Sequence, residues 1–370
     1  MSDQSPSHQP QGTALRRGWT TGACATAATK AAFSALAGGG FPDPVRITLP
    51  KGLTPAFSLA VQAQGEDWAR AGVVKDAGDD PDVTHGALVQ ATVRRGPAGS
   101  GVQFCAGEGV GRVTRAGLPV AIGEPAINPS PRAMMRRAVE EIAAQCNVSG
   151  DVLVEISIPG GEGIAADTLN PRLGILGGLS ILGTTGVVVP FSCSAWIHAI
   201  QRGIDVARAA GLEHVAGSTG RTSEKAVQAH HALPDAALID MGDFIGGMLK
   251  YLRTHPVPRI TVAGGMAKIT KLSQGFMDVH SRRGQADLGQ LARLAATAGA
   301  DPDCQARIAA SNTVAEAFGH AREAGVSLGD AVARAAHAFA QGLIDPQRSR
   351  LEILVFDRAG QRVGRAGDMD

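Results

Sequence analysis

Four aspartates fall within seven residues of the stretch KDAGDDPDVTHG, residues 75–86, which we call the acidic loop. Like charges this close repel one another and raise the pKa of at least one carboxyl group. Such a cluster persists more easily if it meets a cation or has to hold a proton. The loop therefore supplies our candidate catalytic residues: Asp79, Asp80, Asp82 and His85.

The same loop also has a purely structural interpretation. Gly78 permits a turn, Pro81 holds Asp80 extended, and aspartates are common in solvated turns. A histidine beside them is equally able to cap a carboxylate. The spacing of the acidic residues does not fit the EF-hand loop, so a calcium site of that type is excluded.

A second set of candidates follows three short apolar runs in the C-terminal half. The runs are HVAG (214–217), ALID (237–240) and RITVAG (259–264), and each leads into a polar or glycine-rich loop. If they are parallel strands, their carboxyl ends meet at one edge, where open sheets bind ligands. The predicted cofactor-binding residues belong to the first two loops: Gly217, Thr219, Gly220, Gly242 and Asp243.

One glycine loop alone would more simply close a tight turn, but three loops converging on one edge favour a binding crevice. The motif G-x-x-x-x-G-K-[ST] is absent, which weighs against a P-loop NTPase, and the strict G-x-G-x-x-G fingerprint is absent too. The histidines lack H-x-x-x-H or a related spacing, so no protein-bound metal is predicted.

Composition narrows the class of protein. The chain has 370 residues, 44% of them hydrophobic, with a formal net charge of +1 and only 4% aromatics. Without a basic face or stacking aromatics, neither nucleic acid nor membrane is an expected partner. The five cysteines form no C-x-x-C pair, and no secretory signal or bilayer-spanning run is visible, so a cytoplasmic location is expected.

The elements that must position the acidic loop form an irregular mixture. After a tail at residues 1–14 that we expect to be disordered, a helix is predicted at 21–36, with Thr20 or Thr21 as its N-cap. A second helix is predicted at 130–145. Strands are predicted at 45–49, 57–64, 72–74, 86–94 and 152–158. This mixture indicates an α+β domain over residues 15–190.

After about residue 190 the pattern changes to short apolar runs alternating with long helical segments. A fourth run, LEILVF (351–356), joins the three above, and the intervening helices are predicted at 287–297 and 306–323. Alternation of this kind predicts a parallel, doubly wound sheet in a second domain, residues 191–370.

Two further stretches are dense in glycine and hydroxyl groups. RRGWTTGACATAATK (16–30) places Thr20, Thr21 and Gly22 at a helix start, where backbone N–H groups attract an anion, although simple capping is the plainer explanation. NPRLGILGGLSILGTTGVVVPFS (170–192), the glycine–hydroxyl segment, carries almost no charge. A segment this apolar is expected to pack against something large and flat, or to form a hinge.

Together these stretches resemble one family, the cobalt-precorrin-5B C1-methyltransferases of anaerobic cobalamin biosynthesis, called CbiD. The resemblance runs from about residue 15 to the last apolar strand. It is carried by RRGWTTGACATAATKAA, KDAGDDPDVTHG, GVGRVTRAGLPVAIGEPAINPSPR, TLNPRLGILGGLSILGTTGVVVPFS, MGDFIGG and the KITKL…HS region. Trp19 stands where the family more often has tyrosine, Asp243 where asparagine is frequent, and Gly265 where histidine is common.

The resemblance implies an α+β N-terminal domain followed by a Rossmann-like α/β domain with a short parallel sheet. It also implies methyl transfer from S-adenosylmethionine to C1 of cobalt-precorrin-5B, giving cobalt-precorrin-6A. Because cobalt arrives inside the tetrapyrrole substrate, the protein need not supply a metal. The implied partners are this cobalt-containing tetrapyrrole and, beyond it, other enzymes of the cobalamin pathway.

The implied substrate carries many acidic side chains, so basic and hydroxyl residues are expected around it. In the acidic loop, an aspartate would face the sulfonium or amino group of the donor, or accept a proton from the macrocycle. Two other classes remain open: a corrinoid-binding protein without turnover, and a dinucleotide-dependent oxidoreductase acting on the macrocycle. The predicted substrate-binding residues are Thr20, Thr21, Gly22, Lys30, Arg172, Thr184, Thr185, Lys268, Lys271 and His280.

Overall fold

A computed structural model describes residues 15–367, apart from the side chain of Arg282. The tail predicted to be disordered, residues 1–14, lies outside this range. The chain divides into two compact units: unit 1 runs to Thr114 and resumes at Pro119–Ser192, while unit 2 takes Arg115–Leu118 and the chain from Cys193 onward. None of the helices described is both long and apolar enough to cross a membrane.

Unit 1 mixes helices with short strands. In chain order its elements are β1 (Gly18–Trp19), α1 (Thr21–Leu36), β2 (Val45–Arg46), β3 (Ala56–Phe57), β4 (Val61–Gln64), β5 (Trp68–Val74), β6 (Leu88–Arg95), β7 (Val102–Ala106), β8 (Arg112–Val113), α2 (Pro129–Cys146), β9 (Val152–Ser157), α3 (Gly161–Ala165), β10 (Ile175–Leu176) and β11 (Val187–Val188).

The main sheet of unit 1 has the strand order β4-β5-β6-β9-β7. All neighbours are antiparallel except β7 and β9. Helix α1 packs on β5, β6 and α2 and is buried on almost every side, because its many alanines let these neighbours approach closely. The acidic loop is the connection from β5 to β6, so the sheet holds both of its ends.

Most predicted elements of unit 1 are present, and α1 has the bounds predicted for it. Thr20 is its N-cap, with Oγ1 accepting from the backbone N–H of Ala23 at 3.1 Å. The prediction of a single strand at 57–64 is wrong. A bend at Ala60 divides it, so that β3 pairs with β2 while β4 pairs with β5 in the main sheet.

Unit 2 alternates strands with helices. Its elements are α4 (Cys193–Ala209), β12 (His214–Ser218), α5 (Arg221–His231), β13 (Leu238–Asp240), α6 (Ile245–Thr254), β14 (Arg259–Gly265), α7 (Met266–Ser273), α8 (Leu288–Thr297), α9 (Pro302–Ala309), α10 (Val314–Glu323), α11 (Leu328–Gln341), β15 (Arg350–Phe356) and β16 (Arg362–Ala366).

The sheet of unit 2 has the order β13-β12-β14-β15-β16. Strands β12 to β15 are mutually parallel, as predicted, but β16 adds an antiparallel edge that the prediction lacked. Its sequence, RVGRA, holds two arginines and a glycine instead of apolar alternation. The chain leaves β12 for its neighbour β13 and then crosses to β14 on the other side. Such a reversal opens a crevice at the carboxyl ends of the strands.

The prediction of a single helix at 306–323 is also wrong, because the structure has two helices there, α9 and α10. Thr313 interrupts it as the N-cap of α10, accepting from the backbone N–H of Glu316 at 3.1 Å. The Glu316 side chain reaches back to the N–H of Asn312 at 2.7 Å. Side chains that satisfy orphan N–H groups in this way mark a helix start, and they end the preceding helix.

Candidate functional site

Three stretches that are distant in sequence meet in unit 1. The backbone N–H of Trp19 in β1 donates to the carbonyl of Asp76 at 2.7 Å, and the N–H of Asp79 donates to the carbonyl of Arg16 at 2.9 Å. On its other side β1 pairs antiparallel with β11. We call this meeting of residues 16–22, the acidic loop and residues 182–191 the unit 1 junction.

Glycines permit this close approach of three backbones. Gly78 has φ +69°, and a Cβ there would lie 2.2 Å from the carbonyl oxygen of Arg16. Gly183 has φ +128°, and its Cβ would lie 2.2 Å from Oγ1 of Thr20. Both the dihedral and the space exclude a side chain at these positions.

Arg16 compensates one of the four carboxylates. Its guanidinium forms a two-pronged ion pair with Asp76, with Nη2 donating to Oδ1 at 2.9 Å, and Gly78 N–H donates to the same oxygen at 2.9 Å. The hydrogen bond from Arg16, followed by that from Gly78, lowers the pKa of Asp76 to about 2. Asp76 is therefore ionised, and its carboxylate is held by Arg16 and Gly78.

A buried lysine compensates a second carboxylate. The Lys75 side chain is only 1% exposed, and its Nζ donates to Oδ2 of Asp82 at 2.6 Å. The other oxygen of Asp82 accepts from both the N–H and the hydroxyl of Thr84, at 2.8 and 2.6 Å. Burial raises the pKa of Asp82, but the bonds from Lys75 and Thr84 outweigh it, so the net shift is downward. Both of its oxygens are thus occupied inside the loop.

The remaining two aspartates are held by one oxygen each. Oδ2 of Asp79 accepts from the backbone N–H of Arg16 at 2.6 Å, and Oδ1 of Asp80 accepts from that of Phe191 at 2.9 Å. Within residues 15–367 the second oxygen of each accepts no hydrogen bond. Asp79 and Asp80 can therefore each accept a hydrogen bond from a ligand through the second oxygen. Asp82 cannot, because both of its oxygens already accept hydrogen bonds.

His85 faces solvent at the end of the loop. Its Nδ1 accepts from the backbone N–H of Ala77 at 3.1 Å, and it lies 3.9 Å from Oδ1 of Asp76. An accepting Nδ1 places the proton of the neutral ring on Nε2, as inferred from this hydrogen bond. The exposed nitrogen is then a donor.

The predicted anion site at the start of α1 is largely closed by the protein itself. The N–H of Gly22 donates to the carbonyl of Leu182 at 3.0 Å, and Oγ1 of Thr21 both donates to and accepts from the Leu182 backbone, at 3.2 and 3.1 Å. With Thr20 as N-cap, these groups fasten α1 to the glycine–hydroxyl segment. Thr185 closes its own turn, exchanging bonds with the Val187 backbone at 3.2 and 3.3 Å, and Thr184 is exposed beside it.

Phe191 was missed by sequence reasoning. It is 66% exposed and has φ +55°, a conformation that costs a bulky residue about 1–3 kcal/mol. Its N–H is the group that Asp80 holds. Backbone strain at an exposed aromatic suggests a functional hypothesis, and only coordinates can reveal it. Leu182 and Val189 add exposed apolar surface from the same segment.

Two predicted substrate residues of unit 1 lie in other surroundings. Lys30 is in the body of α1, where its Nζ pairs with Oε2 of Glu141 on α2 at 2.8 Å. Arg172 is half-buried in the segment between α3 and β10, and β10 pairs with β8. The structure therefore ties Lys30 to helix packing.

In unit 2 the predicted cofactor residues converge at the carboxyl edge of the sheet. Lys268, on α7 after β14, joins the loops: its Nζ donates to the carbonyl of Thr219 at 2.5 Å and lies 3.0 Å from Oδ1 of Asp243. Thr219 N–H in turn donates to the Ala263 carbonyl at 3.0 Å. Lys268 was predicted to bind substrate, but it lies among the predicted cofactor residues.

This edge fits an added polar ligand. Oδ1 of Asp243 is buried and accepts no hydrogen bond within the described residues, and its ion pair with the Lys268 ammonium at 3.0 Å is its one charged contact there. A Cβ on Gly220 or on Gly265 would meet nothing within 4 Å. Gly242 has φ +52°, in the turn that carries Asp243.

Gly217 has a different role from the one predicted. It lies inside β12, not in the loop, and a Cβ there would be 2.3 Å from Sδ of Met248. It therefore makes room for the core. Lys271 is buried and donates to the carbonyls of Val279 and His280, both at 3.2 Å, so it braces the segment that carries His280. His280 itself is exposed.

A cluster of histidines lies toward the amino ends of the same strands. His230, His231 and Glu352 each offer a ligand atom within 4.8 Å of the others. Sequence spacing missed this group because Glu352 comes from a distant strand. However, Glu352 already accepts from His231 at 2.7 Å, Thr261 at 3.0 Å and Arg365 at 2.7 Å. A metal ion would have to displace some of these bonds.

Burial, followed by the charges of His231 and Arg259, lowers the pKa of the neighbouring His214 to about 4. Its Nε2 lies 2.9 Å from the hydroxyl of Thr261, which donates to Glu352, so that nitrogen carries the proton. His214 is thus neutral at physiological pH and extends the hydrogen-bond network around Glu352.

Comparison with known proteins places the chain in one family. The CbiD family model matches residues 8–190, and the model described as CbiD, C-terminal domain, matches residues 278–367. A cobalt-precorrin-5B C(1)-methyltransferase of Halorhodospira halophila is 68% identical, covering 98% of this chain and 97% of its own length. Proteins of the same name from Agrobacterium fabrum and Paramagnetospirillum magneticum are 61% and 62% identical, covering 96% and 95% of this chain and 94% and 98% of their own.

Among solved structures, the cobalamin biosynthesis protein CbiD from Archaeoglobus fulgidus is 28% identical and covers 73% of this chain and 83% of that chain, with a TM-score of 0.40. Family models that match segments of both units, together with relatives of this identity over nearly the full length, leave one assignment: the chain belongs to the CbiD family.

Proposed function

We propose that the chain is an S-adenosylmethionine-dependent methyltransferase that methylates C1 of cobalt-precorrin-5B, giving cobalt-precorrin-6A in cobalamin biosynthesis. The observation that carries this proposal is the 68% identity, over 98% of the chain, to a protein named for that reaction. The family's motifs also form the two site geometries described above.

The methyl donor is proposed to bind at the carboxyl edge of the unit 2 sheet, which we regard as Rossmann-like. When bound, S-adenosylmethionine supplies an electrophilic methyl group on a sulfonium. The open space beside Gly220 supports this placement, as does Oδ1 of Asp243, which pairs with the Lys268 ammonium but accepts no hydrogen bond within the described residues. The Lys268 ammonium, 38% exposed, is suited to the carboxylate of an amino acid moiety.

The macrocycle is proposed to bind at the unit 1 junction. Phe191 with Leu182 and Val189 offers exposed apolar surface, on which a flat ring system can lie. Asp79 and Asp80 each have an oxygen left to accept a proton released from the macrocycle, or to compensate positive charge. Asp76 and Asp82 instead hold the loop in shape through Arg16 and Lys75.

The reaction proposed for these binding surfaces is a substitution at the methyl carbon of the donor. Holding the reacting groups in line can supply about 7–11 kcal/mol of the barrier. An apolar surface also keeps water from the nucleophilic ring carbon. The cobalt is treated as part of the substrate, so no step assigned to these residues needs a metal bound by the protein.

The test is to incubate the pure protein with cobalt-precorrin-5B and S-adenosylmethionine that carries a deuterated methyl group. Mass analysis should show one labelled methyl group gained per macrocycle and one equivalent of S-adenosylhomocysteine formed. A corrinoid carrier would bind the macrocycle without changing its mass. A dinucleotide-dependent oxidoreductase would instead require a nicotinamide cofactor and leave the label on the donor, and either outcome would contradict the proposal.

A further inference from the structure

The unit 1 junction contains three lysine and arginine side chains, which differ in what holds them. Arg16 pairs with Asp76, and the buried Lys75 pairs with Asp82. Arg17 is exposed, and among residues 15–367 its guanidinium forms no hydrogen bond or ion pair. A permanently charged group with five N–H donors can therefore bind a ligand at this position.

Backbone contacts fix the place from which the Arg17 side chain starts. The N–H of the preceding residue, Arg16, donates to Oδ2 of Asp79 at 2.6 Å, and its carbonyl accepts from the Asp79 N–H at 2.9 Å. A Cβ on Gly78 would lie 2.6 Å from the carbonyl carbon of Arg17, so the acidic loop packs directly on this backbone. The long side chain of Arg17 extends from a fixed origin.

The strand register sets Arg17 beside the apolar surface of the glycine–hydroxyl segment. Strand β1 pairs antiparallel with β11, and Gly18 lies opposite Val188. Arg17 immediately precedes β1 and Val189 immediately follows β11, so the same register, continued by one residue, sets these two opposite each other. Opposite residues of an antiparallel pair project to the same face, with Cβ atoms about 4.5–5.5 Å apart. The Arg17 side chain thus starts next to Val189, which is 47% exposed and belongs to the surface proposed for the macrocycle.

The charge of the junction makes a free guanidinium important for an acidic ligand. Asp76 and Asp82 are paired with cations. Asp79 and Asp80 instead accept from backbone N–H groups and keep their negative charge toward a ligand. A macrocycle with many acidic side chains would be repelled by them unless a cation met its carboxylates. Arg17 can supply that cation, since a guanidinium binds a carboxylate through two parallel N–H···O bonds.

We propose that Arg17 binds a peripheral carboxylate of the macrocycle while the ring lies on Val189 and Phe191. This rests on the proposed function, from which the macrocycle and its place at the junction come. Arg17 also sets specificity. A tetrapyrrole with free acid side chains is favoured over one whose side chains are amides or esters, because only a carboxylate accepts a charge-assisted pair of bonds from the guanidinium.

The test titrates the full chain with two cobalt corrinoids that differ only in their side chains, cobyrinic acid and its methyl ester. The wild type should bind the acid more tightly than the ester. Arg17→Gln should weaken binding of the acid by about 10- to 150-fold, the factor for a lost hydrogen bond to a charged group, and leave the affinity for the ester unchanged. Arg17→Lys keeps the charge but not the planar fork, so its affinity for the acid should lie between those of the wild type and Arg17→Gln.

Arg94 provides the matched control. It lies near the end of β6 that is remote from the acidic loop, its side chain is 48% exposed, and its ion pair with Asp67 measures 4.0 Å. Arg94→Gln removes the same charge and should leave the affinity for the acid unchanged. Arg17→Gln should have the melting temperature of the wild type, since it removes no contact of the guanidinium within the described residues.

Wild-type affinity of Arg17→Gln for cobyrinic acid would overturn the inference, as would a wild type that does not prefer the acid to the ester. An equal loss for acid and ester in Arg17→Gln would show that the arginine stem only packs on the ring, and carboxylate recognition would be refuted. A loss of the same size in Arg94→Gln would mean that net charge, and not this position, decides the affinity.

These outcomes are separable from those of the proposed function. A preference for the acid that depends on Arg17, without methyl transfer to cobalt-precorrin-5B, would contradict the function and leave the carboxylate site standing. Methyl transfer with the same KM for cobalt-precorrin-5B in Arg17→Gln and the wild type would do the reverse.

Discussion

At the scale of single residues, the acidic loop divides into carboxylates that hold its shape and carboxylates with an oxygen to spare. Asp82 belongs to the first kind because the buried Lys75 and Thr84 occupy both of its oxygens. Asp79 and Asp80 belong to the second. The distinction predicts different outcomes for the same chemical change, Asp→Asn.

Replacing Asp82 with asparagine should destabilise the protein by about 3–5 kcal/mol, since the Lys75 ammonium would stay buried without its counter-charge. The double variant Lys75→Met/Asp82→Asn should recover much of that loss. Urea unfolding monitored by circular dichroism measures both. Equal stability of Asp82→Asn and the wild type would show that the pair does not stabilise the loop.

The lowered pKa of Asp82 fixes the sign of its pH dependence. A depressed carboxyl pKa contributes stability above the ordinary value near 4, and this contribution is lost as pH falls through the lower folded value. On acidification from about pH 5 the wild type should therefore lose more stability than the double variant, in the same unfolding experiment.

Asp79→Asn and Asp80→Asn should leave the fold intact, because the amide oxygen can still accept the single backbone hydrogen bond each residue makes. If one of them takes a proton in the reaction, its replacement should lower kcat by about 10²–10⁴-fold. If they only compensate positive charge on a bound ligand, the affinity for that ligand should fall more than kcat. Variants that lose thermal stability but keep full activity per folded molecule would refute both roles.

Phe191 is expected to lower the stability of the protein while contributing to binding of the macrocycle. Phe191→Gly removes the strain of φ +55° and should leave the protein as stable as the wild type, or about 1 kcal/mol more stable. It should also weaken binding of the macrocycle, because an exposed aromatic face is lost. Thermal melts and a corrinoid titration measure the two effects. A clear loss of stability with unchanged binding would show that Phe191 serves the fold.

At the scale of elements, the loop from β12 to α5 and the strand that precedes it should respond differently to added side chains. Gly220→Val meets open space and should fold normally while blocking donor binding. Gly217→Ala would press on Met248 and should cost about 1–3 kcal/mol of stability without affecting the loop. Calorimetry and urea unfolding on both variants provide the comparison. If Gly220→Val bound the donor with unchanged affinity, the donor site would have to lie elsewhere in the protein.

Elements with a local signal were predictable from sequence. The helix Thr21–Leu36 and the four parallel strands of unit 2 have apolar periodicity and clear ends. Strand β16, with two arginines and a glycine, has no such pattern and exists because β15 offers it an edge. The break before α10 did have a signal, the Thr313–Glu316 capping pair, which the run of alanines obscured.

The candidate sites were predictable as segments but not as contacts. That the N-terminal strand lies between the acidic loop and the glycine–hydroxyl segment depends on long-range pairing, which no local pattern encodes. A basic residue looks available in sequence, whatever it pairs with in space: Lys30 pairs with Glu141, and Lys271 donates to two backbone carbonyls.

At the scale of the whole molecule, the chain combines membership of the CbiD family with two separate site geometries. The family models match segments of both units, at 8–190 and 278–367, and the relatives match nearly the full length. Each unit has its own buried core and its own candidate site. Under the proposed function, this chain places one methyl group on one particular carbon of the macrocycle.

The most direct measurement of that claim uses S-adenosylmethionine with a ¹³C-labelled methyl group and cobalt-precorrin-5B, followed by nuclear magnetic resonance of the purified product. We expect a single labelled methyl signal, correlated with ring carbon C1, and no such signal when the protein is omitted. A labelled methyl group on any other carbon, or a macrocycle recovered without label after complete incubation, would contradict it.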